Sequence, residues 1–274
     1  MKKRIKTLFV PYLIMNSFWI FAFGIGQRIP QTQIFFNNPN NIIANFGIIR
    51  WFQAYGIGAE YPFLYPLWFV RNLLVLNVFA ALIKKAIDAA PRFALFFVCG
   101  MFLLLKNFPF NNFCYNLYVT DFCMWCFGYF TVKFKWNRNQ FDKSKVIAIA
   151  YILVLLARTI MKDSNSDLNF LIGRANMVLG ILFWYCWFSK SLNKPIQKLL
   201  LKYSTFNFGV YLFHEMNLAF CNKLIVRIFG IGLIVQIVQY TMIPAFIIFL
   251  TIVFSIFLKK FFPRLLSILT GARV

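Results

Sequence analysis

The only histidine of the chain, His214, lies in an apolar stretch with other polar side chains at helical spacing. If residues 205–221 form a helix, Asn207, Tyr211 and Glu215 share the broad face of His214 or lie beside it. Histidine exchanges a proton near neutral pH, so His214 is a candidate general base. The adjacent Glu215 points about 100° away on a helix and does not orient the imidazole. The alternative is a buried structural histidine, with its neighbours lining a cavity.

A second candidate group centres on Arg71, which lies inside another long apolar run. Trp68 precedes it by three residues and Asn72 follows it, so the three share one helical face. A charge at membrane depth costs about 2.5–3.5 kcal/mol on insertion scales and therefore needs a reason. Arg71 is either catalytic or extends outward, with Asp121 as a candidate partner. For Arg158, near the end of another apolar run, outward extension is the favoured interpretation.

The composition indicates that membrane-crossing helices position these side chains. Of the 274 residues, 61% are hydrophobic and only 13% are charged, and the mean hydropathy is +0.70. A soluble domain carries about 25% charged residues, so this chain lacks the polar side chains to cover a water-soluble body. The sequence therefore predicts an all-α, polytopic transmembrane helix bundle.

Apolar runs predict eight transmembrane helices in a single membrane domain over residues 1–274. The runs cover 8–25, 66–83, 92–105, 117–132, 145–161, 175–189, 205–221 and 230–258. The long connection 26–65 is rich in Asn and Gln at its start and in aromatic residues later. That composition predicts a short interfacial or re-entrant element between the first two spans.

The distribution of basic residues predicts the orientation of the chain. With both termini in the cytoplasm, 20 of the 29 Lys and Arg residues fall on the inner side and 7 on the outer side. Such an excess is typical of cytoplasmic loops in membrane proteins. The net charge of +22 is carried by short clusters between apolar runs, which argues against nucleic-acid binding.

Two cysteines, Cys123 and Cys126, form a C-x-x-C pattern inside the predicted span 117–132. The chain has no second pair at metal spacing and its histidine is far away in sequence. Packing of small apolar side chains between helices is therefore favoured over zinc binding, and no metal site is predicted.

Three segments resemble the acyltransferase family 3 of membrane proteins, and they occur in the order found in that family. Residues 2–12 form a basic stretch that ends in Pro-Tyr. Residues 66–74 read Pro-Leu-Trp-Phe-Val-Arg-Asn-Leu-Leu, similar to the family's P-L-W-F-L-R-D-L segment. Residues 208–215 read Phe-Gly-Val-Tyr-Leu-Phe-His-Glu, similar to its F-G-I-Y-L-x-H string. The resemblance covers essentially the whole chain.

The resemblance implies an O-acyltransferase of the bacterial inner membrane. Such proteins move an acetyl or other acyl group from acyl-CoA, usually acetyl-CoA, to a hydroxyl of a sugar, a polysaccharide or a lipid-linked glycan. The expected partners are membrane lipid and a glycan acceptor, and the oligomeric state is not predicted. The residues expected to act are His214 and Arg71 in catalysis, Arg4 and Lys6 at the CoA phosphates, and Trp68, Asn72, Tyr211 and Glu215 around the substrate cavity.

The chain departs from the family pattern in two respects. The first two helices of the family, one of which bears its catalytic histidine, have no counterpart before Met1, and Thr7 replaces the second of two arginines. The chain is then a truncated and inactive form, a gene fragment, the product of a mis-assigned start, or a variant that uses His214. The competing function is a transporter or flippase of a lipid-linked sugar or small solute, for which internal repeats and broken midplane helices are the expected signature.

Overall fold

The computed structural model describes residues 5–36, 41–58, 61–105, 118–136, 144–161, 167–190 and 194–271. Within these ranges every regular element is helical, so the all-α prediction is confirmed. Arg4, expected at the CoA phosphates, lies outside the described residues.

Eleven α-helices occur in the described ranges, and prolines mark the start of several of them. Pro91 and Pro263 stand in the first turn of their helices, where the missing N–H has no partner to lose. The helices are α1 (Val10–Arg28, preceded by a π-helical turn Ile5–Phe9), α2 (Ile48–Ala54), α3 (Leu67–Ala89), α4 (Pro91–Leu104), α5 (Val119–Lys133), α6 (Ser144–Ile160), α7 (Asp167–Lys190), α8 (Lys194–Ser204), α9 (Asn207–Phe229), α10 (Leu233–Phe261) and α11 (Pro263–Thr270).

Each of the eight predicted spans overlaps one of these helices. Among the described residues, four helical stretches are both long and apolar enough to cross a membrane: Ile5–Arg28, Leu67–Ala89, Asp167–Cys186 and Leu233–Phe261. The 14 residues of α4 are apolar but short, because at 1.5 Å per residue they cover only about 21 Å. The count of eight spans therefore stays a prediction, while the membrane character of the chain is supported.

Three helices lie outside the predicted spans. The short α2 occupies the connection for which an interfacial or re-entrant element was predicted. In α8, Lys194, Lys198 and Lys202 repeat every four residues and so form one basic stripe. Such amphipathic helices are typical of membrane interfaces.

The chain divides into two compact units. Of the described residues, the first unit contains those up to residue 80 and those from residue 201 onward, and the second contains those between residues 81 and 200. The prediction of a single membrane domain is not tested by this division, because the continuous helix α3 contributes residues to both units.

The core of the first unit joins α1, the start of α3 and α9. Its central buried side chains are Leu8, Tyr12, Met15, Leu64, Leu67, Val70 and Leu212. The core of the second unit lies around α4 and α5, with buried side chains Ile87, Val98, Phe102, Val119, Cys123, Cys126 and Phe130. The candidate site residues from Lys6 to Glu215 that the structure describes belong to the first unit.

Candidate active site

Helix α1 presents two buried polar side chains to the chain segment that precedes α3. Asn16 is fully buried, and its amide forms two hydrogen bonds. Its Nδ2 donates to the carbonyl of Ala54 over 2.7 Å, and its Oδ1 accepts from the backbone N–H of Leu64 over 2.9 Å. One asparagine therefore fixes both ends of the non-helical stretch 55–63.

The start of this stretch is also held by Tyr12, one helical turn before Asn16 on the same face of α1. The Tyr12 hydroxyl donates to the carbonyl of Tyr55 over 2.6 Å. Ser17 Oγ lies 2.6 Å from the hydroxyl of Tyr55 and forms a further hydrogen bond with it. Backbone polar groups outside a helix are tolerated at membrane depth only where protein buries and bonds them, and α1 supplies those bonds.

Arg71 holds the same stretch from α3. It is 8% exposed, and its Nη1 donates to the carbonyl of Gly56 over 3.3 Å. Its Nε and Nη2 both donate to Oδ1 of Asn72, over 3.2 and 3.1 Å. The guanidinium is therefore anchored between its own helix and the preceding turn. Outward extension of Arg71 to the membrane surface stays a prediction.

Gly56 makes this close approach possible. Its φ is +70°, a conformation that side chains with a Cβ adopt only with strain. A Cβ built there would lie 2.9 Å from the Tyr12 hydroxyl and 3.0 Å from Cδ of Arg71. Tyr12, Gly56 and Arg71 thus form one packed contact between α1 and α3.

His214, which is half-buried on α9, has a defined orientation. Its Nδ1 lies 2.8 Å from the carbonyl of Tyr211 and 3.2 Å from that of Val210. A carbonyl oxygen only accepts, so Nδ1 carries the hydrogen. In the neutral imidazole, Nε2 is then the unprotonated nitrogen, which is the form that a general base requires. The backbone, and not Glu215, orients the ring.

Tyr211 connects α9 to the start of α3. Its hydroxyl donates to the carbonyl of Pro66, and its ring lies 6.4 Å from that of Phe69 and 6.1 Å from the His214 ring. The two segments that resemble family strings, 66–74 and 208–215, are therefore brought together, although they are far apart in sequence.

Glu215 carries a carboxylate oxygen, Oε2, that is buried and has no hydrogen-bond partner among the described residues. The charge of Glu215 affects the pKa of Tyr65. Burial raises the pKa of Tyr65, the neighbouring Tyr61 raises it further, and Glu215 contributes in the same direction. The rings of Tyr61 and Tyr65 lie 4.8 Å apart, so the tyrosine that interacts electrostatically with Glu215 is paired with a second aromatic ring.

The remaining predicted residues, Trp68 and Lys6, differ in their exposure. Trp68 is half-buried on α3, and Lys6 is exposed in the π-helical turn before α1. The described contacts of Arg71 run to Asn72 and Gly56, and those of His214 run to its own helix, so no described contact joins the two residues.

Sequence reasoning missed Asn16 and Gly56 as residues that shape the site. The available signal was the presence of Asn16 within an apolar run, one turn after Tyr12, because an amide at membrane depth needs a partner. The partners are backbone atoms 38 and 48 residues away, which no local pattern identifies.

The second unit contains the C-x-x-C pair. Cys123 and Cys126 are both buried in the core around α5, and Cys123 Sγ lies 3.6 Å from the carbonyl of Val98. No cluster of three or more His, Cys, Asp or Glu side chains occurs in the part of the chain that the structure describes.

Comparison with known proteins gives one match. Residues 1–260 match the family model of acyltransferase family 3, which is described as an acyltransferase domain. No curated protein and no solved structure matches.

Proposed function

Since the chain belongs to acyltransferase family 3 and is an acyltransferase, we propose that it transfers an acyl group from acyl-CoA to a hydroxyl of a sugar or envelope polysaccharide. The observation that supports this most directly is the fixed imidazole of His214. Its Nδ1 donates to backbone carbonyls, which leaves Nε2 as the acceptor that hydroxyl activation needs.

In the proposed reaction Nε2 of His214 takes the proton of the acceptor hydroxyl while its oxygen attacks the thioester carbonyl. The C–O bond forms, the C–S bond breaks, and the CoA thiolate leaves. The imidazolium returns its proton to the thiolate, so the enzyme is regenerated and CoASH is released. General-base assistance of this kind contributes about 10²–10⁴-fold to the rate.

Glu215 and the paired rings of Tyr61 and Tyr65 are suited to the acceptor. The buried Oε2 of Glu215 has no partner in the described part of the chain, so a substrate hydroxyl that donates to it satisfies a costly group. The rings add apolar surface beside that polar group, a combination typical of small-molecule sites. Tyr211, Trp68 and Asn72 complete the proposed cavity.

In this proposal Arg71 is a positioning residue. Its bonds to Asn72 and to the carbonyl of Gly56 hold the stretch that leads to Tyr61 and Tyr65. The acyl donor is acetyl-CoA, with Lys6 and Arg4 pairing with its phosphates from the cytoplasmic side of the inner membrane.

The test is CoASH release from acetyl-CoA by membranes that contain the protein, with and without an envelope oligosaccharide. We expect acceptor-dependent release that falls by about 10²–10⁴-fold in His214→Ala. The matched control is Asn217→Ala, because Asn217 also bonds a carbonyl of its own helix, that of Phe213, but has no acid–base chemistry.

Equal losses in His214→Ala and Asn217→Ala would contradict the base assignment. Movement of glycan across the membrane without CoASH release would contradict the transferase proposal and favour the transporter.

A further inference from the structure

A cavity of about 270 Å³ lies between α6 and α7 in the second unit. The proposed transfer site does not use it. Its lining residues are Leu155, Arg158, Thr159, Asn169 and Asn176. Small-molecule sites have volumes of about 300–1,000 Å³. The volume of this cavity is therefore sufficient for a lipid headgroup but not for a whole lipid or a sugar chain.

The cation in this cavity is Arg158, which is exposed, two residues before the end of α6. It has no ion pair with an acidic side chain in the described ranges. Its guanidinium lies against the backbone of α7 at Gly173, where a Cβ would collide with Nη1. Glycine therefore provides the flat surface on which the guanidinium rests.

The second polar group is the amide of Asn176. Its Oδ1 is buried and has no hydrogen-bond partner within the described chain. Buried polar atoms are almost always bonded, so an exception needs an explanation such as a bound molecule. A ligand that fits both groups carries a negative charge for Arg158 and a hydroxyl donor for Asn176.

Exposed apolar side chains lie close in sequence to the residues that line the cavity. Ile160 and Leu168, at the facing ends of α6 and α7, are 85% and 57% exposed. In a membrane these side chains face acyl chains, while an arginine near a span end reaches the headgroup level. A ligand with a charged head and apolar tails matches this arrangement.

We propose that the α6–α7 cavity binds the phosphate-containing, hydroxyl-bearing headgroup of an anionic membrane lipid. The phosphate oxygens accept from the guanidinium of Arg158, and a headgroup hydroxyl donates to Oδ1 of Asn176. Phosphatidylglycerol is the probe with this chemistry, and phosphatidylcholine lacks both the net charge and the hydroxyls.

The test measures lipid binding to the purified full chain in detergent by native mass spectrometry, with dioleoylphosphatidylglycerol titrated against dioleoylphosphatidylcholine. We expect one phosphatidylglycerol to bind in preference to phosphatidylcholine. Arg158→Gln should weaken that binding by about tenfold, the effect of losing one charge-assisted contact. The matched control is Lys145→Gln, which removes an equal charge at the opposite end of α6.

Two further variants keep the test decisive if Arg158→Gln disturbs folding. Arg158→Lys retains the charge and should keep most of the binding. Gly173→Ala retains Arg158 but displaces its guanidinium, and should weaken binding. Equal affinity for the two lipids, or equal losses in Arg158→Gln and Lys145→Gln, would overturn the proposal. Displacement of the lipid by millimolar inorganic phosphate would assign the site to free phosphate.

Discussion

Two asparagines in different regions of the molecule differ in how their buried amides are bonded. Around α1, the polar side chains Tyr12 and Asn16 bond non-helical backbone, and one third of the apolar stretch Ile5–Arg28 is buried. In α7, only three of the residues Asp167–Cys186 are buried, and Asn176 keeps an unbonded oxygen beside the cavity between α6 and α7. Asn16 therefore stabilises the fold, whereas the oxygen of Asn176 is available to a ligand.

The difference shows how to separate structural from binding polar groups inside a membrane protein. A polar group whose bonds are all made to backbone atoms stabilises the fold, and its removal exposes those atoms to hydrocarbon. A buried polar group without a protein partner lowers stability, and its presence is explained by binding to a ligand. The same substitution in the two regions should therefore have opposite effects.

The largest effect is expected for Asn16→Leu. The substitution leaves the N–H of Leu64 buried without a partner, at about 1–3 kcal/mol. The carbonyl of Ala54 loses one of its two bonds and still accepts from the N–H of Phe63. We expect a strongly lowered unfolding midpoint in detergent. Asn77→Leu is the control, because Asn77 bonds only the carbonyl of Leu73 in its own helix. An equal decrease of the unfolding midpoint in Asn16→Leu and Asn77→Leu would show that the bonds of Asn16 to distant backbone atoms add no extra stability.

A smaller loss is expected for Gly56→Ala. An Ala at φ +70° costs about 1–2 kcal/mol in backbone strain, and its Cβ would crowd Tyr12 and Arg71. Gly58→Ala provides the comparison, since Gly58 has a φ of +97° but no atom within 4 Å of a built Cβ. Thermal unfolding of both variants isolates the packing contribution, and an equal shift would show that Gly56 is required for its backbone conformation alone.

The smallest effect, with the opposite sign, is expected for Asn176→Leu. Its Oδ1 has no partner within the described chain, so an apolar side chain removes a desolvation penalty and costs no protein hydrogen bond. Without added lipid, the free energy of unfolding should stay constant or rise by about 1 kcal/mol at most. A loss comparable to that of Asn16→Leu would contradict the comparison.

The positions of the helices were predictable because each apolar run is continuous and bounded by polar or proline-containing segments. The approach of residues 66–74 to residues 208–215 was expected only from the family resemblance. Its physical basis, the bond from Tyr211 to Pro66 and the shared packing of Leu67 and Leu212, depends on tertiary contacts that periodicity does not encode.

The site was only partly predictable for the same reason. The sequence identified His214 and Arg71 as polar groups at membrane depth. It could not show that backbone carbonyls orient His214, or that Arg71 bonds Gly56. For Arg158, extension to the interface stays a prediction, and the cavity beside it depends on how α6 and α7 pack.

The bond between Tyr211 and Pro66 also has a consequence for biogenesis, since it joins residues 145 positions apart. At about 5–20 residues per second, roughly 7–30 s of translation separate the two partners. During that interval the stretch before α3 has α1 and α3 as neighbours but lacks the side that α9 later covers. Assembly of the candidate site is therefore a late event, and release of the nascent chain before α9 would leave inserted helices with an incomplete candidate site.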